Sequence, residues 1–190
     1  MTDMDGDLFW KLLEAEHPKA ERFCRKIAAD RQDGDDLYHD ALLAAWRKFE
    51  TLRNVDSFRP WLYRIIVNKY RSRVRKPWWR RRQLLDEAAL HGMEVNDPSG
   101  KYTARRLLEL AFQALSPADK TLVILYELEG WNITELARIY GKPEGTVKSR
   151  LSRARRKMRE RLLRYLPHDK ANILTFEADY ALSRSKTSIE

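Results

Sequence analysis

The stretch that decides the fold is WNITELARIYGKPEGTVKSRLSRARRKMRERLLR, residues 131–164. It reads as two helices joined by a tight turn. The first spans about Ile133 to Tyr140. Asn132 suits an N-cap, and Glu135 stands three residues later, as in a capping box. Gly141 can take the positive φ that closes a helix. Pro143 falls in the turn, where it cannot continue the helix. Gly145 and Thr146 open the second helix. Its apolar residues Val147, Leu151, Ala154, Met158 and Leu162 form one inward stripe. At about 100° per residue, Ser149, Ser152, Arg153 and Arg156 lie on the opposite face. Between Lys142 and Arg164 there are ten Lys/Arg and two acids, Glu144 and Glu160. A basic surface helix is usually only a solvated face. Here turn signals, stripe and charge coincide, which is the helix-turn-helix pattern of a duplex DNA reader.

The rest of the chain fits a polyanionic partner. Its 190 residues hold 37 Lys+Arg against 28 Asp+Glu, a net charge of +9. Nucleic acid is the common partner for such a balance, and a membrane surface is the alternative. No apolar run approaches the roughly 20 residues that span a bilayer. The N-terminus is acidic, unlike a signal peptide. The chain is therefore expected in the cytoplasm, with a membrane-bound partner left open. The lone Cys24 sits in a helical pattern and reads as a small buried hydrophobe. The histidines His17, His39, His91 and His168 are scattered, with no metal-ligand spacing. No phosphate loop, nucleophile motif or carboxylate pair stands out. We expect no enzyme activity, no cofactor, no metal and no small-molecule substrate.

Helical periodicity continues outward from the motif. Residues 7–29 read as two short helices, or as one broken at His17-Pro18. The acids Asp30, Asp33, Asp35 and Asp36 suit a cap and a first turn. A helix from about Asp35 to Phe49 is apolar around most of its circumference and belongs in a core. Its narrow remaining side carries Asp36, His39, Asp40, Leu43 and Arg47. Residues 50–57 form a loop. A second apolar helix, about Phe58 to Arg75, carries a polar stripe of Arg64, Asn68, Arg71 and Arg75. From Arg59 through Arg82 there are ten Lys/Arg and no acid, interleaved with rings. That mixture suits single-stranded nucleic acid. At least half of Trp61, Tyr63 and Tyr70 should nonetheless be core. Residues 77–103 read as a linker, with a short helix around Leu84–Leu90. A helix carrying Leu107, Leu108, Ala111, Phe112 and Leu115 follows. Ser116 then caps a helix that has Pro117 at its first position and Asp119 at its third, and runs to Gly130. The tail after Pro167 is less regular.

Three stretches carry a family resemblance: DDLYHDALLAAWRKF (35–49), SFRPWLYRIIVNKYRSRVRK (57–76) and LSPADKTLVILYELEGWNITELARIYGKPEGTVKSRLSRARRKMRERL (115–162). In this order and spacing the chain resembles the extracytoplasmic-function group of bacterial RNA polymerase sigma factors, of the sigma-70 family. The resemblance implies an all-α protein of two small helical domains joined by a flexible linker. Residues 1–76 would be the region 2 domain, 77–103 the linker, 104–166 the region 4 helix-turn-helix domain, and 167–190 a C-terminal tail. By the same resemblance Asp36, His39, Asp40, Leu43 and Arg47 would dock core RNA polymerase, on the clamp helices of its largest subunit, and the polymerase flap would be a further contact. The family commonly has Gln and Glu where this chain has His39 and Asp40, and His39 offers a pH dependence.

For the melted −10 promoter strand the matching residues are Arg53, Asn54, Ser57, Phe58, Trp61 and Arg64, with Asn68 and Arg71 nearer the backbone. For the −35 duplex they are Lys148, Ser149, Ser152 and Arg153, with Thr146 and Arg150 at phosphates and Arg156 beside them. Ser152 stands where some relatives carry an aromatic residue. Trp78, Trp79, Arg80, Arg81 and Arg82 would mark the entrance to the linker's path through the polymerase. Melting costs about 1.4 kcal/mol per base-pair step, so polymerase binding would have to supply part of it. The family also implies an anti-sigma factor, often membrane-anchored. Two rivals remain at this point. One is a conventional helix-turn-helix regulator that binds a duplex site without polymerase. The other is a nucleic-acid enzyme built on the acids between Asp30 and Asp40, which suit caps and a contact face better.

Overall fold

The computed structural model describes residues 3–28, 30–76 and 101–164, with side chains from Gly6 and, in the second segment of the chain, from Leu107. Among the described residues the fold is all-helical. The elements are α1 (Asp3–Ile27), α2 (Arg31–Lys48), α3 (Phe58–Val74), α4 (Lys101–Gln113), α5 (Pro117–Val123), α6 (Ile133–Tyr140) and α7 (Glu144–Leu163). Contacts divide the chain into two units. One holds α1–α3 together with residues 116–151, and the other holds α4 with residues 152–164.

The first unit is built on rings and branched aliphatics. Phe9 of α1 is fully buried and makes edge contacts with Trp46, Phe49 and Phe58, at centroid distances of 5.0, 5.2 and 5.9 Å. Such edge-to-face pairs add to what burial alone contributes. α3 runs through the middle and buries Phe58, Leu62, Tyr63, Ile66, Val67, Tyr70 and Val74. Gly34 lets α2 approach α1: a Cβ at that position would lie 2.6 Å from the Arg25 Cα. Cys24 is buried, as its pattern implies.

α1 is one helix across Pro18, not two. A proline inside a helix costs roughly 3 kcal/mol. Phe9 and Leu13 before it, and Ala20, Phe23, Cys24 and Ile27 after it, all enter the same core, and that shared burial outweighs the lost hydrogen bond. Asp30 caps α2, accepting from the Asp33 amide at 2.8 Å. The loop after α2 contains two short 3₁₀ turns, Phe49–Thr51 and Val55–Ser57.

In the same unit, Ser116 caps α5, with Pro117 in the first turn. The helix then widens into a π turn, Ile124–Leu128. Gly130, at φ 70°, reverses the chain into Trp131, and the Trp131 amide bonds back to the Leu125 carbonyl at 3.1 Å. The wider turn is what carries the Trp131 side chain inward, to 2% exposure. In the second unit, Leu110 and Ala111 of α4 and Ala154 of α7 are buried. Arg161 Nη2 donates to Gln113 Oε1 at 3.5 Å. Residues 77–100 and 165–190 lie outside the described residues. The expected Leu84–Leu90 helix, the Trp78–Arg82 cluster and the tail fall there.

Candidate nucleic-acid interface

The turn between α6 and α7 is fixed by local chemistry. Asn132 accepts from the Glu135 amide at 2.9 Å, and Glu135 accepts from the Asn132 amide at 3.0 Å. This reciprocal capping box satisfies two amides that the helix itself leaves open. Gly141 takes φ 59°, and the Lys142 amide bonds back to the Ala137 carbonyl at 3.1 Å. That is the glycine-closed helix end expected of the motif. Thr134 Oγ1 donates to Glu144 Oε1 at 2.6 Å, tying α6 to the first turn of α7.

α7 is then held by its inner face. Val147, Leu151 and Ala154 are buried. Lys148, Ser149, Ser152, Arg153 and Arg156 are exposed, and Thr146 is half-buried. The Ser149 hydroxyl donates to the Thr146 carbonyl at 3.0 Å, and Arg156 Nε stands 3.7 Å from Glu160 Oε1. Arg150 departs from a simple outer-face role. Its Nε and Nη2 both reach Asp119 Oδ1, at 3.1 and 2.6 Å, and its guanidinium lies 5.7 Å from the Tyr140 ring centroid. Arg150 therefore fastens α7 to α5.

On α2, Asp36, His39, Asp40, Leu43 and Arg47 are all exposed. Their spacing places them on one face, and Leu43 is 56% exposed. Arg73 Nη2 pairs with Asp40 Oδ2 at 3.2 Å, while its Nη1 donates to the Asp33 carbonyl at 2.9 Å. His39 Nδ1 lies 2.9 Å from the Asp35 carbonyl. A carbonyl only accepts, so Nδ1 carries the proton. Beside this face, Arg25 holds the Asp35 carboxyl below the usual carboxylate range, chiefly through their 2.5 Å hydrogen bond.

The loop and α3 separate the remaining candidates. Arg53, Asn54, Arg64, Asn68 and Arg71 are exposed, and Ser57 and Trp61 are half-buried. Asn54 uses its side-chain oxygen to accept from the Asp56 amide at 2.9 Å. Phe58 is 3% exposed. It packs beneath Trp61 at 5.8 Å, so it supports that ring and does not itself reach the surface. Tyr63 and Tyr70 are core, each 1% exposed. Sequence reasoning missed Arg59 and Trp131, which meet across α3 and the turn before α6. It also missed Gly34, whose close approach has no local signal. Among the described residues, no group of three His, Cys, Asp or Glu side chains could hold a metal ion. No helix among them is long and apolar enough to cross a membrane.

Two family models match the chain: Sigma-70 region 2 over residues 12–80 and Sigma-70 region 4 over residues 105–158. ECF RNA polymerase sigma factor SigM of Mycobacterium tuberculosis is 30% identical over 162 residues, covering 85% of this chain and 80% of that protein. RNA polymerase sigma-E factor of Streptomyces coelicolor is 30% identical, covering 75% of this chain and 78% of that one. Among solved structures, the sigma factor RpoE of Bartonella quintana, in complex with the anti-sigma factor NepR, aligns with TM-score 0.59 and 28% identity, over 82% of this chain and 96% of that one. CnrH, in complex with the cytosolic domain of CnrY, aligns with TM-score 0.55 and 25% identity, over 79% of this chain and 84% of that one. With both regions present in order, and with relatives that match along most of their length, the chain belongs to the ECF RNA polymerase sigma factors.

Proposed function

We propose that the protein directs promoter-specific initiation by offering three faces from one chain. The α2 face, Asp36, His39, Asp40, Leu43 and Arg47, docks core RNA polymerase. The loop before α3 and the stripe along it take the melted −10 strand: Arg53, Asn54, Ser57, Trp61, Arg64, Asn68 and Arg71, with Phe58 supporting Trp61. Helix α7 enters the −35 major groove. Lys148, Ser149, Ser152 and Arg153 meet base edges there, while Thr146, Arg150 and Arg156 meet phosphates. Residues 1–76 and 104–166 are the two functional domains, with 77–103 linking them.

One observation carries the reading. The basic face of α7, which follows the capped helix α6, and a compact acidic-apolar face on α2 are both exposed in the same chain. A conventional regulator needs only the first. The solved relative in complex with the anti-sigma factor NepR supports a protein inhibitor for this chain too. If that inhibitor is membrane-anchored, it would hold the protein at the inner face of the membrane.

The test is run-off transcription with bacterial core polymerase on promoters from the source genome. New transcripts that depend on the protein are expected. Tight binding to duplex DNA without core, and no initiation with it, would replace this reading with a conventional regulator.

A further inference from the structure

Arg73 belongs to the basic run between Arg59 and Arg82, and the fold gives it a different use from its neighbours. Arg71 and Arg75 are exposed, while the Arg73 side chain keeps 16% of its surface. From the last turn of α3 it reaches across to α2. Its Nη1 donates to the Asp33 carbonyl at 2.9 Å, and its Nη2 meets Asp40 Oδ2 at 3.2 Å. These acceptors belong to residues about two helical turns apart. They converge because a helical carbonyl points toward the C-terminus, whereas a helical side chain leans toward the N-terminus. A guanidinium fork spans that gap. The single ammonium of a lysine does not hold two acceptors in fixed directions.

Asp40 needs such a partner. Its side chain is 55% exposed, so packing alone does not fix its rotamer. Asp36 stands one turn before it on the same face, and like charges at i and i+4 repel. Left alone, the Asp40 carboxylate would swing away from Asp36 and sample several rotamers. The other end of the fork is firm, because Asp33 is buried in the first turn of α2. Anchored there, Arg73 holds the Asp40 carboxylate in place and offsets the repulsion. Asp40 thus stands ordered beside His39 and Leu43 before any partner arrives. A side chain that is already immobilised loses less entropy on binding.

We propose that Arg73 is a positioning residue for polymerase docking: from α3 its fork orders the Asp40 carboxylate on the exposed face of α2. The proposal rests on the docking reading above. Arg73 then acts on core polymerase affinity through Asp40 and through nothing else.

The test is a double-mutant cycle in the full chain. Arg73→Met keeps much of the stem and removes the fork. It is compared with Asp40→Ala, with the pair and with the natural chain, by competition for core polymerase against labelled natural protein and by thermal melting. Arg73→Met is expected to weaken core binding about fivefold or more, as for residues coupled by direct contact. In the Asp40→Ala background the same change should alter core affinity by less than about twofold. Its effect on melting, through the lost bond to the Asp33 carbonyl, should persist in both backgrounds. An arginine with a merely structural role would weaken core binding by the same factor in both. Arg73→Lys keeps the charge without the fork and serves if Arg73→Met does not fold. It too should bind core more weakly than the natural chain, and only while Asp40 is present.

Natural core affinity in both Arg73 variants would overturn the proposal, and so would an equal loss with and without Asp40. If the natural chain itself does not bind core polymerase, the sigma reading falls and this proposal falls with it. If the natural chain binds and Asp40→Ala binds equally well, the docking reading of α2 falls and takes the proposal along. If Asp40→Ala binds weakly while the Arg73 variants bind normally, only the positioning role falls.

Discussion

Helices α3 and α7 are both long and basic, and they use their apolar residues in opposite ways. α3 buries seven of its 17 residues, including two tyrosines, and leaves a narrow polar stripe outside. α7 buries small and aliphatic residues along one line, Val147, Leu151 and Ala154, and exposes most of its cations. One helix holds the fold together and offers a little surface. The other is held by its neighbours and offers nearly all of its outer face. Basic charge with interleaved rings is therefore not a single signal. Rings on a basic helix mark a core element, and a basic helix with a thin aliphatic stripe marks a presenting one.

The difference is sharpest in stability. Tyr70→Ala on α3 should cost about 3–5 kcal/mol, as for other buried rings, and thermal melting followed by circular dichroism measures it. Alkali should act on the same rings. Burial holds the phenols of Tyr63, Tyr70 and Tyr140 neutral well above their usual range and pushes Tyr38 up to about 12. The folded state then binds these protons more tightly than the unfolded state. Their contribution is complete below about pH 10, the ordinary tyrosine value, and is lost as pH rises beyond it. Melting temperature should fall steeply above about pH 10. Melting that is flat through that range would contradict the burial.

Smaller effects separate support from presentation. Gly34→Ala places a methyl against the α1 backbone, and overpacking of that kind typically costs about 1–3 kcal/mol. The denaturation midpoint should drop, with the exposed face of α7 untouched. Arg153→Ala should do the reverse. It should cost about 1–3 kcal/mol of −35 duplex affinity if the side chain reads a base edge, with stability within about 0.5 kcal/mol of the natural chain. Competition binding at fixed salt, beside a melt, reads both. Asn132→Ala removes half of the capping box and should cost about 1 kcal/mol. A larger loss would mean that α6 carries more of the core than its buried Leu136 and Ile139 indicate.

These regions also differ in how much the sequence reveals. Caps and stripes act over three or four residues, so Asn132 with Glu135, Gly141, and Ser116 with Pro117 are readable from sequence and stand where their chemistry puts them. The same holds for the exposed set on α7 and for the exposed face of α2 that carries Asp36, His39, Asp40, Leu43 and Arg47. What was illegible depends on partners distant in the chain. Pro18 looks like a break because the cost is local, while the burial that offsets it comes from α2 and α3. Phe58 looks like a surface ring until Phe9 and Phe49 close over it. Arg59 reads as one more cation of a basic run, and only the fold brings it to Trp131, 72 residues later by numbering. The π turn that aims Trp131 has no turn residue inside it, only Gly130 after it.

The central claim is that polymerase docking and −35 reading sit on separate faces of one sigma factor. The most direct test compares Asp40→Ala with Arg153→Ala, measuring core polymerase binding and run-off initiation side by side. The account predicts that Asp40→Ala weakens binding to core. It predicts that Arg153→Ala binds core normally and initiates poorly from promoters that need a −35 element. Equal loss of core binding in both variants, or full initiation by both, would contradict it.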